Sequence, residues 1–317
     1  MRAFSSVLAD RLEAYVKLQR ALGYQFDYQT VHLHAFDEYL VQRGHTEPLT
    51  QEIVIAFATN DPSDSMDHRA RRYHVVRPFC EYLATFDPQA PVLDPHAVPR
   101  FNARPARHIL TDEELARLLQ EARNISQVNP VRGVTLHAII GLAASTGLRR
   151  GEVVRLDNAD VDIESGILLI KKTKLKKDRL VPVHPTTLDV MRNYAALRDS
   201  AYPDRSDPAF FVTMWCKRFN PNTLQQQFCM AARQAGLRGP TGRGLTFHDL
   251  RHRFAVKRLA AWYSAGIDVQ AMLPALATYM GHVNYSDTAY YLTATAELLG
   301  LAAERYNSRF DKAEVQP

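Results

Sequence analysis

Apolar residues recur at helical spacing from the first turns of the chain. In "SSVLADRLEAYVKLQRALG", Val7, Leu8, Leu12, Tyr15, Val16 and Leu22 fall roughly on one stripe, and Gly23 reads as a C-terminal stop. The same periodicity predicts helices over 28–43, after "PLTQEIVIAFAT", and over 66–85. The fourth of these carries Arg69, Arg71, Arg72 and Arg77 among aromatic and aliphatic residues, as a solvated basic face or as phosphate contacts. The pattern then breaks at "FDPQAPVLDPHAVPRFNARPARH". Each of its prolines fixes φ and removes a backbone donor, and pushes the preceding residue towards extended geometry. This stretch reads as an extended linker.

Periodicity resumes at "LTDEELARLLQEA". Thr111 with Glu114 three residues on is a capping-box signature, so a helix starts there. "GVTLHAIIGLAASTGLRRGEVVRL" reads as a buried helix, a turn at Thr146–Gly147 and a new helix start. "ADVDIESGILLIKKTKLKKDRLVPVHP" instead alternates and is rich in branched residues. It predicts three short antiparallel strands with turns at Glu164–Gly166 and Leu175–Asp178. Helices occupy much of the remainder. The expected fold is mainly α: a helical bundle over 1–87, a Pro-rich linker over 88–107, and a mixed α/β domain with a small antiparallel sheet over 108–317.

Composition narrows the function classes only a little. The 317 residues carry a net charge of +5, a mildly basic balance that suits a polyanionic partner. Cys80, Cys216 and Cys229 are widely spaced and form no CxxC pair, which reads as reduced thiols in a cytoplasmic protein. No apolar run approaches the ~20 residues of a membrane span. The N-terminal segment becomes charged too soon for a signal peptide.

The candidate chemistry lies in five segments of the second domain. "STGLRRGEVVRL" puts Arg149, Arg150 and Glu152 just after a turn. "KKTKLKKDR" is a Lys-rich hairpin. In "FHDLRHRFA", His248 and Arg251 share a helix face. "MGH" ends in His282, and "DTAYYL" holds Tyr290 and Tyr291. Each segment alone has a bland reading: lysines protect exposed strand edges, and adjacent tyrosines usually pack. Together they supply two arginines, a lysine, two histidines and a tyrosine. Arginine presents a planar fork to two phosphate oxygens, so two of them could clamp a phosphodiester. A tyrosine, with a pKa of about 10, is ionised in about one molecule in a thousand at neutral pH. A cationic site and a nearby base would lower that cost. An alkoxide leaving group needs an acid, which a lysine can supply. No acidic cluster with Mg²⁺ spacing appears, so no metal or cofactor is expected.

These segments resemble the tyrosine recombinases, the phage-integrase-type site-specific recombinases. In that family an Arg follows TG(L/M), a Lys sits on a β-hairpin before an RLVP-like strand, HxxR opens a helix, and a GH dipeptide precedes the nucleophilic Tyr by nine. "TGLRRGE", "TKLKKDRLVPVHP", "HDLRHRFA", "MGH" and "DTAYYL" match in that order. The resemblance covers the whole second domain and, more loosely, the N-terminal half. It implies a DNA breaking–rejoining fold whose core-binding and catalytic domains clamp duplex DNA. It makes Arg149 and Arg251 the phosphate-clamping arginines, with Glu152 orienting Arg149. Lys174 becomes the general acid, with Lys171, Lys172, Lys176 and Lys177 as competitors for that role. His248 becomes a base or phosphate-side residue, His282 a phosphate hydrogen-bond donor, and Tyr291, by its spacing from His282, the nucleophile. Tyr279, Tyr285 and Tyr290 revert to packing. Arg69, Arg71, Arg72, Lys172, Lys176 and Lys177 are the expected DNA contacts. The hairpin and the "YLTATAEL" ending look most like integrases of transposons and other mobile elements.

The activity so implied is cleavage and rejoining of duplex DNA through a 3′-phosphotyrosyl intermediate, for integration or excision of a mobile element. The protein would be cytoplasmic and nucleoid-associated, a tetramer on DNA or an assembly with sister recombinases. Two rivals share part of the pattern. A type IB topoisomerase would relax supercoils as a monomer, and an inactive DNA-binding accessory protein would have no need of Tyr291 together with Lys174.

Overall fold

The computed structural model describes residues 3–99, 108–126, 129–171, 178–239, 242, 244–282, 286–293, 300 and 303. The chain divides into two compact units, Met1–Arg104 and Pro105–Pro317.

The first unit is a helical bundle of α1 (Ala9–Ala21), α2 (Asp27–Gln42), α3 (Gln51–Ala58) and α4 (Met66–Leu83). Gly23 follows α1 with φ 91°, a left-handed geometry that lets the chain leave the helix. Ser65 caps α4, its side chain accepting from His68 N. The core is Leu12, Leu33, Phe36, Val54, Phe57, Tyr73, Val76 and Phe79. Leu93 and Val98 are buried in this same core. Tyr73 donates its hydroxyl hydrogen to the Asp94 carbonyl at 2.8 Å, and Asp94 N donates to Gln51 Oε1 at 2.7 Å. The front of the proline-rich stretch is thus laid onto the bundle, because two apolar side chains between the prolines have somewhere to be buried.

The second unit begins with α5 (Asp112–Asn124), whose Thr111–Glu114 capping box is present in full. Next come α6 (Pro130–Thr146) and α7 (Arg150–Arg155). α6 is mostly apolar and largely buried, with α5, α8 and α10 packed on it, while Arg132, His137 and Ser145 lie on its half-buried side. The strands β1 (Val161–Asp162), β2 (Ile167–Ile170) and β3 (Arg179–Pro182) form an antiparallel sheet in that order. Ile170 pairs with Arg179 at the end of the β2–β3 ladder. The helices α8 (Pro185–Ala201), α9 (Pro221–Gln234), α10 (His248–Ser264), α11 (Val269–Met280) and α12 (Ser286–Ala289) follow, with a 3-10 turn at Tyr290–Thr293. The expected turn at Glu164–Gly166 is present, with Gly166 at φ 69°. The expected turn at Leu175–Asp178 lies, Asp178 apart, outside the described residues. Among the described residues no helix is long and apolar enough to cross a membrane.

Candidate active site

The site is built around the carboxyl end of α11. A helix leaves its last carbonyls without partners inside the helix, and the macrodipole makes that end negative. Here guanidinium groups from separate elements take those carbonyls. Arg179, at the start of β3, donates Nε–H to the Tyr279 carbonyl at 2.9 Å. Arg251, one turn into α10, donates from Nη2 to the Met280 carbonyl at 2.8 Å and from Nη1 to the Gly147 carbonyl at 2.8 Å. Arg149, the residue before α7, donates to the Gly281 carbonyl at 2.7 Å and more weakly to that of Met280 at 3.4 Å. Two glycines make this convergence possible. Gly147 ends α6 with φ 66° and Gly281 ends α11 with φ 67°.

Glu152 is the counter-charge. It is 4 % exposed. One carboxylate oxygen accepts from Arg149 Nη1 and Arg179 Nη1, both at 3.0 Å. The other accepts from Arg149 N at 2.9 Å and Arg179 Nη2 at 3.0 Å. Burial pushes the Glu152 pKa up, but the hydrogen bonds and charge of Arg179, then those of Arg149, outweigh it and hold the carboxyl below its usual range. Arg251 is 1 % exposed. Burial, then the charge of Arg149, lowers its pKa to about 10, which leaves it fully charged at neutral pH. Three guanidiniums against one carboxylate leave the pocket net positive.

Tyr291 packs into this pocket from the 3-10 turn and is 3 % exposed. Its ring stacks against His282 at 6.2 Å between centroids and meets His252 edge-on at 5.3 Å. An ionised Tyr291 would favour the Arg251 charge. His282 shares a hydrogen bond of 2.6 Å between Nδ1 and Thr288 Oγ1. Burial, then Arg251, Arg149 and His248, push its pKa down to about 3, so the ring is neutral at physiological pH. His248, exposed at the start of α10, lies 4.7 Å from the His252 ring. Asp249 fixes that helix start by accepting from Thr246 N at 2.7 Å.

Arg149, Glu152, His248, Arg251, His282 and Tyr291 therefore come together. Lys174, with Lys172, Lys176 and Lys177, lies outside the described residues. Lys171 is ion-paired with Asp160. Arg150 turns away to Gln225 Oε1 at 3.4 Å. Tyr279 packs, stacking on Phe254 and donating its hydroxyl to the Pro182 carbonyl at 3.2 Å. In the first unit, Arg69 donates to the Asp61 and Pro62 carbonyls at 3.3 and 2.7 Å. Arg71 is exposed beside Asp67, whereas Arg72 pairs with Asp64 at 3.1 Å and covers the Phe57 ring. Sequence reasoning missed Arg179, His252 and Thr288. The first stands at the start of the RLVP-like strand, where a strand-opening arginine carries no signal of its own.

A small sheet and helical shell that draw three arginines, two histidines and a tyrosine to one helix end fit the tyrosine recombinase class. The profile of the phage integrase family matches residues 108–297, and the chain belongs to that family. It is 46% identical over 305 residues to a Sinorhizobium fredii protein that carries the name integrase/recombinase y4rE, covering 96% of this chain and 97% of the other. In fold it is similar to the XerH site-specific recombinase in a post-cleavage complex with difH substrate. The TM-score there is 0.67 at 19% identity, over 93% of this chain and 84% of that one. It is also similar to the Tn1549 transposon integrase in complex with transposon right-end DNA. That TM-score is 0.66 at 18% identity, over 93% and 98% of the two chains.

Proposed function

We propose that this protein is the site-specific recombinase of a mobile element, breaking and rejoining duplex DNA through Tyr291. The observation that carries the reading is the burial of Tyr291 beside His282 in a pocket whose positive charge comes from Arg149 and Arg251. The Tyr291 oxygen attacks the scissile phosphorus and the bond to the 5′-oxygen breaks. The tyrosine proton passes to the His248 side, and Lys174 protonates the departing 5′-oxygen. The 3′-phosphotyrosyl ester keeps the energy of the broken bond, so a 5′-hydroxyl from a partner strand can reverse the step without a nucleotide triphosphate. Arg149 and Arg251 balance the charge that grows on the non-bridging oxygens, where one such donor is typically worth roughly 10²–10³ in rate. Neutral His282 donates a hydrogen bond to the phosphate without adding charge.

Exchange of two duplexes requires four strand cuts. With one nucleophilic tyrosine per chain the working assembly is a tetramer, alone or with sister chains, which native mass spectrometry of the DNA complex would measure. Residues 1–87, with the Leu93 and Val98 stretch packed on them, serve as the core-binding domain and 108–317 as the catalytic domain. In the former, Arg71 is the better phosphate contact, since its pairing with Asp67 lies in solvent, whereas Arg72 is half-buried between Asp64 and the Phe57 ring. Arg71→Ala should flatten the salt dependence of DNA binding by about one counterion; an unchanged slope would remove Arg71 from the interface.

The test of the whole reading uses duplex DNA nicked near the cleavage position, its sequence taken from ends mapped in cells. Wild type and Tyr290→Phe should accumulate an adduct that survives denaturant, and Tyr291→Phe should not. Adducts formed by Tyr291→Phe but not by Tyr290→Phe would move the nucleophile to Tyr290. Relaxation of plasmids lacking any specific site would favour the topoisomerase reading.

A further inference from the structure

We propose that Arg179 is a positioning residue of this active site, the third member of an arginine set that holds the phosphate clamp in shape. The inference rests on the recombinase reading above. Each guanidinium nitrogen of Arg179 binds a protein acceptor. Its Nη1 and Nη2 span both oxygens of Glu152, the carboxylate that also holds Arg149 by side chain and backbone. Its remaining nitrogen, Nε, takes the Tyr279 carbonyl. The next two carbonyls, of Met280 and Gly281, are those that orient Arg251 and Arg149. Gly281 lies against the guanidinium so closely that a Cβ there would sit 2.7 Å from Arg179 Nη1. Arg179 thus defines where the 279–281 backbone runs, and with it the Arg149 and Arg251 forks and the adjoining His282.

The guanidinium is 10 % exposed, and its opposite charge is 3 % exposed. A surface ion pair would be worth little, but a buried, bidentate one fixes geometry. Lysine cannot substitute. A point charge on a flexible stem cannot bridge two carboxylate oxygens and also reach a carbonyl in the same plane.

The experiment compares wild type, Arg179→Lys and Arg179→Gln on a nicked duplex carrying the mapped cleavage sequence. One substrate has an ordinary scissile phosphate; in the other that group is a methylphosphonate, which has lost a negative oxygen. DNA affinity and single-turnover adduct formation are measured at a temperature where melting curves show each protein folded. On the phosphate, both variants should bind DNA as wild type does yet form adduct about 10–100-fold more slowly, as expected for a misplaced catalytic group. On the methylphosphonate, which offers the clamp no anion, their deficit should shrink to about threefold or less. A merely destabilised protein would slow on both substrates alike, and that result overturns the inference, as does either variant cleaving at the wild-type rate. If both single variants fail to fold, the neutral pair Glu152→Gln/Arg179→Met replaces them. It should fold and show the same substrate dependence; wild-type cleavage by that pair also overturns the proposal. Failure of the recombinase reading is separate: wild type would then form no adduct at all, or Tyr291→Phe would form one.

Discussion

Replacing Glu152 by glutamine changes one oxygen to an NH₂ group and removes one charge, with almost no change of shape. Each carboxylate oxygen accepts two N–H donors, one from Arg149 and one from Arg179. Whichever way the new amide turns, its NH₂ faces two donors, and a buried guanidinium loses its counter-charge. Removing one partner of a buried ion pair costs about 3–5 kcal/mol. The second unit spans Pro105–Pro317. For a domain of that size, 1 kcal/mol moves the melting temperature by about 2–4 °C. Glu152→Gln should therefore melt about 6–20 °C below wild type by scanning calorimetry. Pairing it with Arg179→Met should recover part of that loss, since the most buried stranded charge is removed, while Arg149, its side chain 35% exposed, is left to solvent. Below the melting transition, the single variant should form the DNA adduct about 100-fold more slowly, because Arg149 has lost its anchor. A melting point within about 2 °C of wild type, on the same scale, would refute the reasoning, since the carboxylate could not then be the buried counter-charge of two arginines.

The remaining expectations concern His282 and Gly147. The folded site keeps His282 neutral down to about pH 3, whereas an unfolded chain protonates it near pH 6.5. Between those values the unfolded state binds more protons, so stability falls as the pH drops from 6.5. The loss by pH 5 is at most about 2 kcal/mol, and solvent screening at a partly exposed ring trims it. His282→Gln should show a shallower fall of melting temperature from pH 7 to pH 5; parallel curves would count against a buried neutral imidazole. Gly147→Ala places a methyl 2.5 Å from the Phe254 ring at φ +66°. Left-handed strain and overpacking together should cost about 2–4 kcal/mol in urea unfolding. A neutral effect would mean that the α6 end relaxes freely.

Much of this protein was legible along the chain. The four helices of the first unit, the Thr111 capping box, the antiparallel strands and the turn at Gly147 all follow from interactions within a few residues, which periodicity and turn chemistry report directly. Arg149, Glu152, His248, Arg251, His282 and Tyr291 were legible as candidates because their motifs stand in the order of the recombinase family, and the fold draws them together; Lys174 lies outside the described residues. What the sequence could not determine depends on contacts between remote segments. Leu93 and Val98 sit among prolines, and only the apolar surface of the bundle explains their burial. Arg179 looks like the ordinary start of a strand, until the fold brings it 27 residues back to Glu152 and 100 residues on to Tyr279. Its role is set by unpartnered carbonyls at the end of α11. Such groups must find donors somewhere, and which donors reach them is decided by tertiary packing alone.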